Sequence, residues 1–192
     1  NVNSILNMIN HVGGEAAISS DMETIEQADA LILPGVGAFD NGIKKLEASG
    51  MLPVLKDKVL YKNTPFLGIC LGMQLLFDSS EEGTLTGLGF ISGEVTKFNF
   101  SHLGESSKLK IPHMGWNVVN PNNDEKIFSG LSEEQRFYFV HSYHVNCKDP
   151  SDILAHASYG YEFVCAVNRK NIWGVQFHPE KSHKFGMNFF KN

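Results

Sequence analysis

The segment Gly68-Ile69-Cys70-Leu71-Gly72 sets a cysteine between two glycines, where an apolar run meets a helical pattern that begins near Leu71. This is the G-x-nucleophile-x-G form of a strand–turn–helix elbow, with cysteine where the hydrolases carry serine. The turn at such a nucleophile is strained and crowded, so flanking glycines let backbone approach without Cβ clashes. At a helix N-terminus Cys70 would meet free N–H groups and a dipole that favour thiolate over thiol. The Leu71 amide would then point at a developing oxyanion. The plain alternative is a buried core thiol, the usual state of a free cysteine.

A second pattern, His178-Pro179-Glu180, follows the strand-like run Trp173 to Phe177. In an extended segment residues i and i+2 share a side, and Pro179 stiffens it by fixing φ. Glu180 would hold the His178 imidazole in one tautomer and stabilise its cation, leaving the other nitrogen for a thiol. A base is still needed to carry a proton to a leaving amine. Taken alone, the triplet reads better as a surface His and Glu at a strand end. A cysteine elbow in mid-chain together with His-x-Glu after a late strand suits the open active site of an α/β sheet, where sites lie beyond strand C-termini.

The elements that must position these groups alternate in the first half. Val2, Ile5, Leu6 and Ile9 form one helical stripe that ends at Gly13-Gly14. Ala16–Ser19 is a short strand candidate. Ala30–Leu33, running into Pro34-Gly35, and Thr64–Ile69 read as buried parallel strands. Helical segments fall at Asn41–Ala48 and Val54–Leu60. From Gly89 to Phe177 strand candidates crowd together, at Glu94–Phe98, Trp116–Val119, Phe137–Val140, Ile153–Ala157, Phe163–Val167 and Trp173–Phe177. Asn99–Lys108 and Asn120–Asp124 read as loop and turn, and a last helix covers Ser182–Phe190. The fold class implied is α/β: a mostly parallel sheet with flanking helices and antiparallel additions. One domain spans 1–192. A helix opening such a domain normally follows a strand, so a first strand is expected to precede Asn1.

Composition narrows the function. With 42% apolar and 19% charged residues the chain is an ordinary globular one. A net charge of −5 argues against nucleic acid and anionic membrane as partners, and no apolar run reaches the ~20 residues of a membrane span. Cys70, Cys147 and Cys165 make neither an even set nor a C-x-x-C pair, so a reducing, cytoplasmic setting is the simplest reading. His141 and His144, three apart in one strand, would face opposite sides and could not chelate one metal as a pair. His11, His102 and His156 have no partner spacing. No metal and no organic cofactor is expected.

Gly68-Ile69-Cys70-Leu71-Gly72-Met73-Gln74 with His178-Pro179-Glu180 resembles the class I, triad-type glutamine amidotransferases. Pro34–Phe39, Pro112–Asn117, Phe139–Tyr143 and His178–Ser182 narrow the resemblance to the glutaminase subunits of imidazole glycerol phosphate synthases, over nearly the whole chain. The resemblance implies that Cys70 attacks the glutamine amide, His178 shuttles the proton and Glu180 orients it. It implies an oxyanion hole from the Leu71 amide and a backbone amide of the Gly35-Val36 turn, and glutamine contacts from Gln74, Glu82, Ser142 and Tyr143. The ammonia would pass to a (β/α)8-barrel cyclase subunit, in a heterodimer, through an interface of Pro112, His113, Met114, Trp116, Asn117 and Lys181. That cyclase would make imidazole glycerol phosphate and aminoimidazole carboxamide ribotide in histidine biosynthesis. The plain alternative for Trp116 is a core aromatic.

Three rivals remain open at this level. Some relatives feed ammonia to a sugar amidotransferase of surface-polysaccharide pathways, and Phe39–Gly42, Tyr159–Phe163 and Lys181–Gly186 resemble those slightly more. A cysteine peptidase or γ-glutamyl hydrolase uses the same type of elbow without the Pro112–Asn117 block. A binding module that has lost activity would be expected to lose one triad residue.

Overall fold

The computed structural model describes residues 2–103, 109–122, 125–130 and 134–192. Helix α1 (Val2–His11) carries Ile5 into the core and stops at Gly13, whose φ of 88° is the left-handed cap that glycine supplies. Helix α2 (Met22–Gln27) is capped by the Asp21 side chain on the Thr24 amide. Strand β1 (Leu31–Gly35) leads to α3 (Phe39–Ala48), and α4 (Leu52–Lys56) runs on through a π turn, Asp57–Tyr61, towards β2 (Phe66–Cys70). Helix α5 (Leu71–Gln74) is a single turn.

The second half is almost all strand: β3 (Ser79–Ser80), β4 (Gly93–Lys97), β5 (His113–Val118), β6 (Asn120–Pro121), β7 (Arg136–His141), β8 (Tyr143–Cys147), β9 (Ile153–Tyr159), β10 (Tyr161–Arg169) and β11 (Ile172–Val175). Helix α6 (His183–Lys191) ends the chain.

The main sheet runs β1-β2-β11-β10-β8-β4-β3, with β9 and β6 branching from β10, while β5 and β7 pair in a separate two-stranded sheet. Strands β1, β2 and β11 are mutually parallel, as is the β3–β4 pair. The other ladders are antiparallel, so the parallel portion is smaller than the first-half rhythm suggests. Short hairpin links such as Gly160 permit only antiparallel neighbours, whereas a parallel return needs a crossover.

Two apolar cores cover the two faces. Phe39, Ile43, Val59, Leu71, Leu76 and their neighbours pack α3, α4 and α5 on one side. Ile5, Phe137, Phe139, Phe177, Phe185 and Phe189 pack α1, α6 and β7 on the other. The sheet is therefore closed on both faces, as a parallel segment requires. No helix among the described residues is long and apolar enough to cross a membrane.

Several local expectations change. Ala16–Ser19 is exposed coil: no strand among the described residues pairs with it, and a strand without a ladder has nothing to hold it. Asn120-Pro121, read as turn, forms a two-residue ladder with β9 before the chain turns. The strand through His141 and His144 breaks at Ser142, with β7 in the small sheet and β8 in the main one. That break overturns the strict alternation of those histidines. Both rings lie against Phe98, at 5.1 and 4.9 Å, and both against Phe163. The part of Asn99–Lys108 beyond Leu103, and Asn123-Asp124, lie outside the described residues.

Candidate active site

Cys70 is the last residue of β2 and the cap of α5, with φ 55° and ψ −111°. A non-glycine residue there is strained, and such strain persists only where the surroundings over-determine it. Two glycines make it possible. A Cβ on Gly72 would stand 1.8 Å from the Leu33 carbonyl oxygen of β1, and one on Gly68 would stand 2.6 Å from the Gly72 carbonyl oxygen. Only bare backbone lets α5 lie this close to the sheet. The elbow forms as expected, but a one-turn helix contributes less dipole than a long one, so the nearby amides matter more than the macrodipole.

His178 follows β11 by three residues, and β11 lies beside β2 with Val175 opposite Ile69. That register carries the two chain ends out of the sheet side by side. His178 Nδ1 lies 2.8 Å from Glu180 Oε1. The pair meets through a 3₁₀ turn, Pro179–Lys181, rather than through an extended strand. Backbone anchors hold the turn: the His178 amide donates to the Tyr138 carbonyl at 2.8 Å. The buried Ser182 hydroxyl donates to the His178 carbonyl at 2.6 Å and accepts from the Tyr138 amide at 3.0 Å.

Burial disfavours the imidazolium, but the neighbouring Cys70 and the Glu180 carboxylate outweigh it and raise His178 to about 9. Burial likewise pushes Glu180 up, and His178 more than reverses this, leaving the carboxyl below its ordinary range. His178 Nε2 is buried without a hydrogen bond of ordinary geometry, and Cys70 is, with Glu180, one of the two neighbours that raise the imidazole. A cysteine, an imidazole and a carboxylate in this order can take up and return one proton. The other cysteines are unlike it. Burial, with Asp152 and Asp149 nearby, pushes Cys147 up to about 12, and complete burial lifts Cys165 well above its ordinary value.

The residues named for glutamine contact divide. Glu82 Oε2 accepts from the Phe39 amide at 2.7 Å, capping α3 in place of Ala38, which has no side chain to do so. Glu81 turns outward to the Lys97 amide. Glu82 is thus the inward member of the pair, and the Tyr143 phenol is raised first by burial and then by the charges of both Glu82 and Glu81. Ser142 is half-buried at the β7–β8 break. Gln74 is buried, and its Nε2 donates to the Tyr143 carbonyl at 3.2 Å and to Gln176 Oε1 at 3.0 Å.

Gly35 stands in register with Cys70 across β1 and β2, Val36 is exposed beyond it, and Gly37 has φ 103°. A cavity of about 300 Å³ opens between this turn and α3, bounded by Gly35, Val36, Leu71, His178 and Glu180. It lies on the Glu180 side of His178, and Cys70 is not part of its wall.

The Pro112–Asn117 block does not act as one surface. Pro112, joined to Ile111 by a cis peptide, is exposed, and so are Met114 (62%) and Trp116 (47%). Trp116 stacks on His183 at 5.6 Å, which excludes the core-aromatic alternative, and Lys181 lies over the Tyr138 ring at 5.7 Å. Strand alternation turns His113 and Asn117 to the other side of β5, where His113 is buried and Asn117 half-buried. His113 packs on Tyr159 and meets His141, while Asn117 Nδ2 donates to the Ser158 carbonyl. Among the described residues no group of three or more His, Cys, Asp or Glu could hold a metal ion.

Sequence reasoning missed Gln176, which is fully buried and donates from Nε2 to the Cys70 sulfur at 3.7 Å. The available signal was a single polar residue inside an apolar strand, since a buried amide must find partners.

The fold and this cluster are those of a glutamine amidotransferase. The sequence profile of the family "Glutamine amidotransferase class-I" matches residues 2–192, and the chain belongs to that family. Full-length relatives include a protein of Methanococcus maripaludis and one of Pseudomonas aeruginosa, each named imidazole glycerol phosphate synthase subunit HisH 2. They are 53% and 51% identical over the whole of this chain and 93% of theirs. The subunit HisH of Leptospira interrogans is 44% identical over the same shares. A solved glutamine amidotransferase superposes with a TM-score of 0.72 at 16% identity, covering 100% of this chain and 92% of the other. One from Thermotoga maritima gives 0.56 at 20% identity, covering 88% and 61%. At that identity the two structures speak for the fold alone.

Proposed function

We propose that this chain hydrolyses glutamine to glutamate and ammonia through Cys70, His178 and Glu180, as the glutaminase subunit of an imidazole glycerol phosphate synthase in histidine biosynthesis. The observation that carries the reading is the convergence of a strained cysteine elbow and a sealed His–Glu pair at the ends of adjacent parallel strands. The names of the full-length relatives support the pathway.

Cys70 Sγ attacks the side-chain amide carbon of glutamine, and the carbonyl electrons move onto oxygen, held by the Leu71 amide and one from the Gly35-Val36 turn. Gly37, at a φ that glycine tolerates, lets that turn reorient. Imidazolium at His178 protonates the leaving nitrogen, and ammonia departs as the C–N bond breaks. A water molecule then attacks the γ-glutamyl thioester, His178 takes its proton, and glutamate leaves as the thiol is restored. Gln74, Glu82, Ser142 and Tyr143 contact the amino-acid end of the substrate. The exposed face of Met114, Trp116 and Lys181 docks a (β/α)8 cyclase that consumes the ammonia.

A second reading keeps the glutaminase and changes the acceptor to a sugar precursor. It is motivated by Phe39–Gly42, Tyr159–Phe163 and Lys181–Gly186, which resemble the polysaccharide-pathway relatives slightly more. Glutamate release measured alone, with the imidazole-forming cyclase and with a sugar amidotransferase separates them. Stimulation by the cyclase supports the histidine pathway, stimulation only by the sugar enzyme moves the protein to the other, and silence with both rejects the glutaminase.

A further inference from the structure

Gln176 lies next to Val175, whose register partner on β2 is Ile69, so it emerges from β11 beside Cys70. Its side chain is fully buried, directly after the apolar strand β11, and its Nε2 is 3.7 Å from Cys70 Sγ. The direction of that amide is fixed by a chain of partners. The Tyr143 carbonyl can only accept, so the Gln74 group facing it must be the NH₂. The same NH₂ faces Gln176 at 3.0 Å, so Gln176 must present its carbonyl oxygen there. Its own NH₂ is then left to the sulfur. Flipping Gln74 would set oxygen against oxygen, and flipping Gln176 would set one NH₂ against the other.

The Tyr143 carbonyl is held on its other side by His141 Nδ1 at 2.7 Å. That contact makes Nδ1 the protonated nitrogen of His141, leaving Nε2 to accept from His113 Nδ1 at 3.0 Å. His113 Nε2 then accepts from Asn117 Nδ2 at 3.3 Å. Burial favours the neutral form of both rings. The polar chain is thus continuous from β5 to the nucleophile, with each donor and acceptor assigned.

We propose that Gln176 is a working part of the nucleophile site: its N–H, aimed by Gln74 from the Tyr143 carbonyl, holds the Cys70 sulfur in place and stabilises it as a thiolate. This deepens the glutaminase reading and rests on it for its catalytic consequence. Gln176 touches the reacting sulfur, whereas Gln74 acts on it only as a positioning residue. A charge-assisted hydrogen bond of this kind changes a rate by about tenfold or more when removed.

The test uses the full chain and iodoacetamide, with alkylation followed on the Cys70 peptide by mass spectrometry across a pH series. In Gln176→Leu the reaction at neutral pH is expected to slow about tenfold. With the partner present, kcat is expected to fall by a similar factor while KM stays within about twofold. A folded Gln176→Leu with an unchanged alkylation profile and unchanged kcat would overturn the proposal. Should that variant fail to unfold cooperatively, Gln176→Glu keeps the shape and replaces the donor by an acceptor. Slower alkylation then supports the proposal, and an equal rate overturns it. Alkylation needs no glutamine, so a wild-type protein that releases no glutamate with any partner would sink the glutaminase reading and still leave this comparison decisive.

Discussion

His178 Nδ1 and Glu180 Oε1 meet at 2.8 Å with side-chain exposures of 2% and 1%, although the two residues are separated only by a proline. Sealed from water, the contact fixes which imidazole nitrogen bears the proton and turns the other towards Cys70. Replacing Glu180 by Gln keeps the shape and removes the charge that supports the imidazolium. Expected is a fall in kcat of about 10²- to 10⁴-fold with little change in KM. Steady-state kinetics with the partner present checks it, and a loss confined to KM would assign Glu180 to substrate binding instead.

The raised His178 also has a consequence for stability. Its folded value of about 9 lies above the ordinary 6.5, so the folded state holds this proton more tightly than the unfolded chain. The contribution is complete below about pH 6.5 and is lost as pH climbs through 9. Denaturant unfolding at pH 6.5 and 9.5 should show this loss in the wild type and a smaller one in Cys70→Ala. Equal slopes in the two proteins would deny Cys70 its influence on the imidazole.

On the acid side the sign reverses. Burial depresses His141 to about 3 and His113 to about 4. The unfolded chain takes up these protons first, so stability is full above about pH 6.5 and declines as pH falls towards the folded values. For His141 the loss between pH 6.5 and 5 is about 2 kcal/mol. Unfolding free energies of wild type and His141→Asn over that interval should differ in slope by about this amount. Parallel curves would contradict a neutral, buried His141.

Gly72→Ala sets a methyl 1.8 Å from the Leu33 carbonyl oxygen, and both partners are backbone that cannot yield without moving α5 off the sheet. A loss of about 3 kcal/mol or more, or failure to fold, is expected. The denaturant midpoint decides it, and a change below about 1 kcal/mol would show that the elbow relaxes.

Met114 and Trp116 are exposed on β5. Replacing both by Ala should alter stability by less than about 1 kcal/mol, because surface positions carry little of it, while stimulation of glutamate release by the cyclase falls at least tenfold. Full stimulation in the double variant would move the interface elsewhere.

Much of this was legible in the residues. Gly68, Gly72 and Cys70 announced a turn that only glycines allow, and the apolar runs ending at Gly35 and Ile69 became β1 and β2 within a residue or two. His178 and Glu180 were legible as a pair because their contact is local. What escaped depends on distant pairing. The break at Ser142 that sends β7 and β8 into different sheets leaves no mark on local periodicity, so the shared side of His141 and His144 was invisible. The same holds for Gln176, which faces Cys70 only through the parallel register of β2 and β11, a long-range choice that local propensity does not make.

The most direct test of the account is acid quenching of the protein during turnover of glutamine with its cyclase partner, followed by mass spectrometry of the Cys70 peptide. A γ-glutamyl adduct on Cys70 that is present in the wild type, absent in Cys70→Ala and cleared as glutamate appears is the expected result. Glutamate released at the wild-type rate by Cys70→Ala, or an adduct on any other residue, would contradict it.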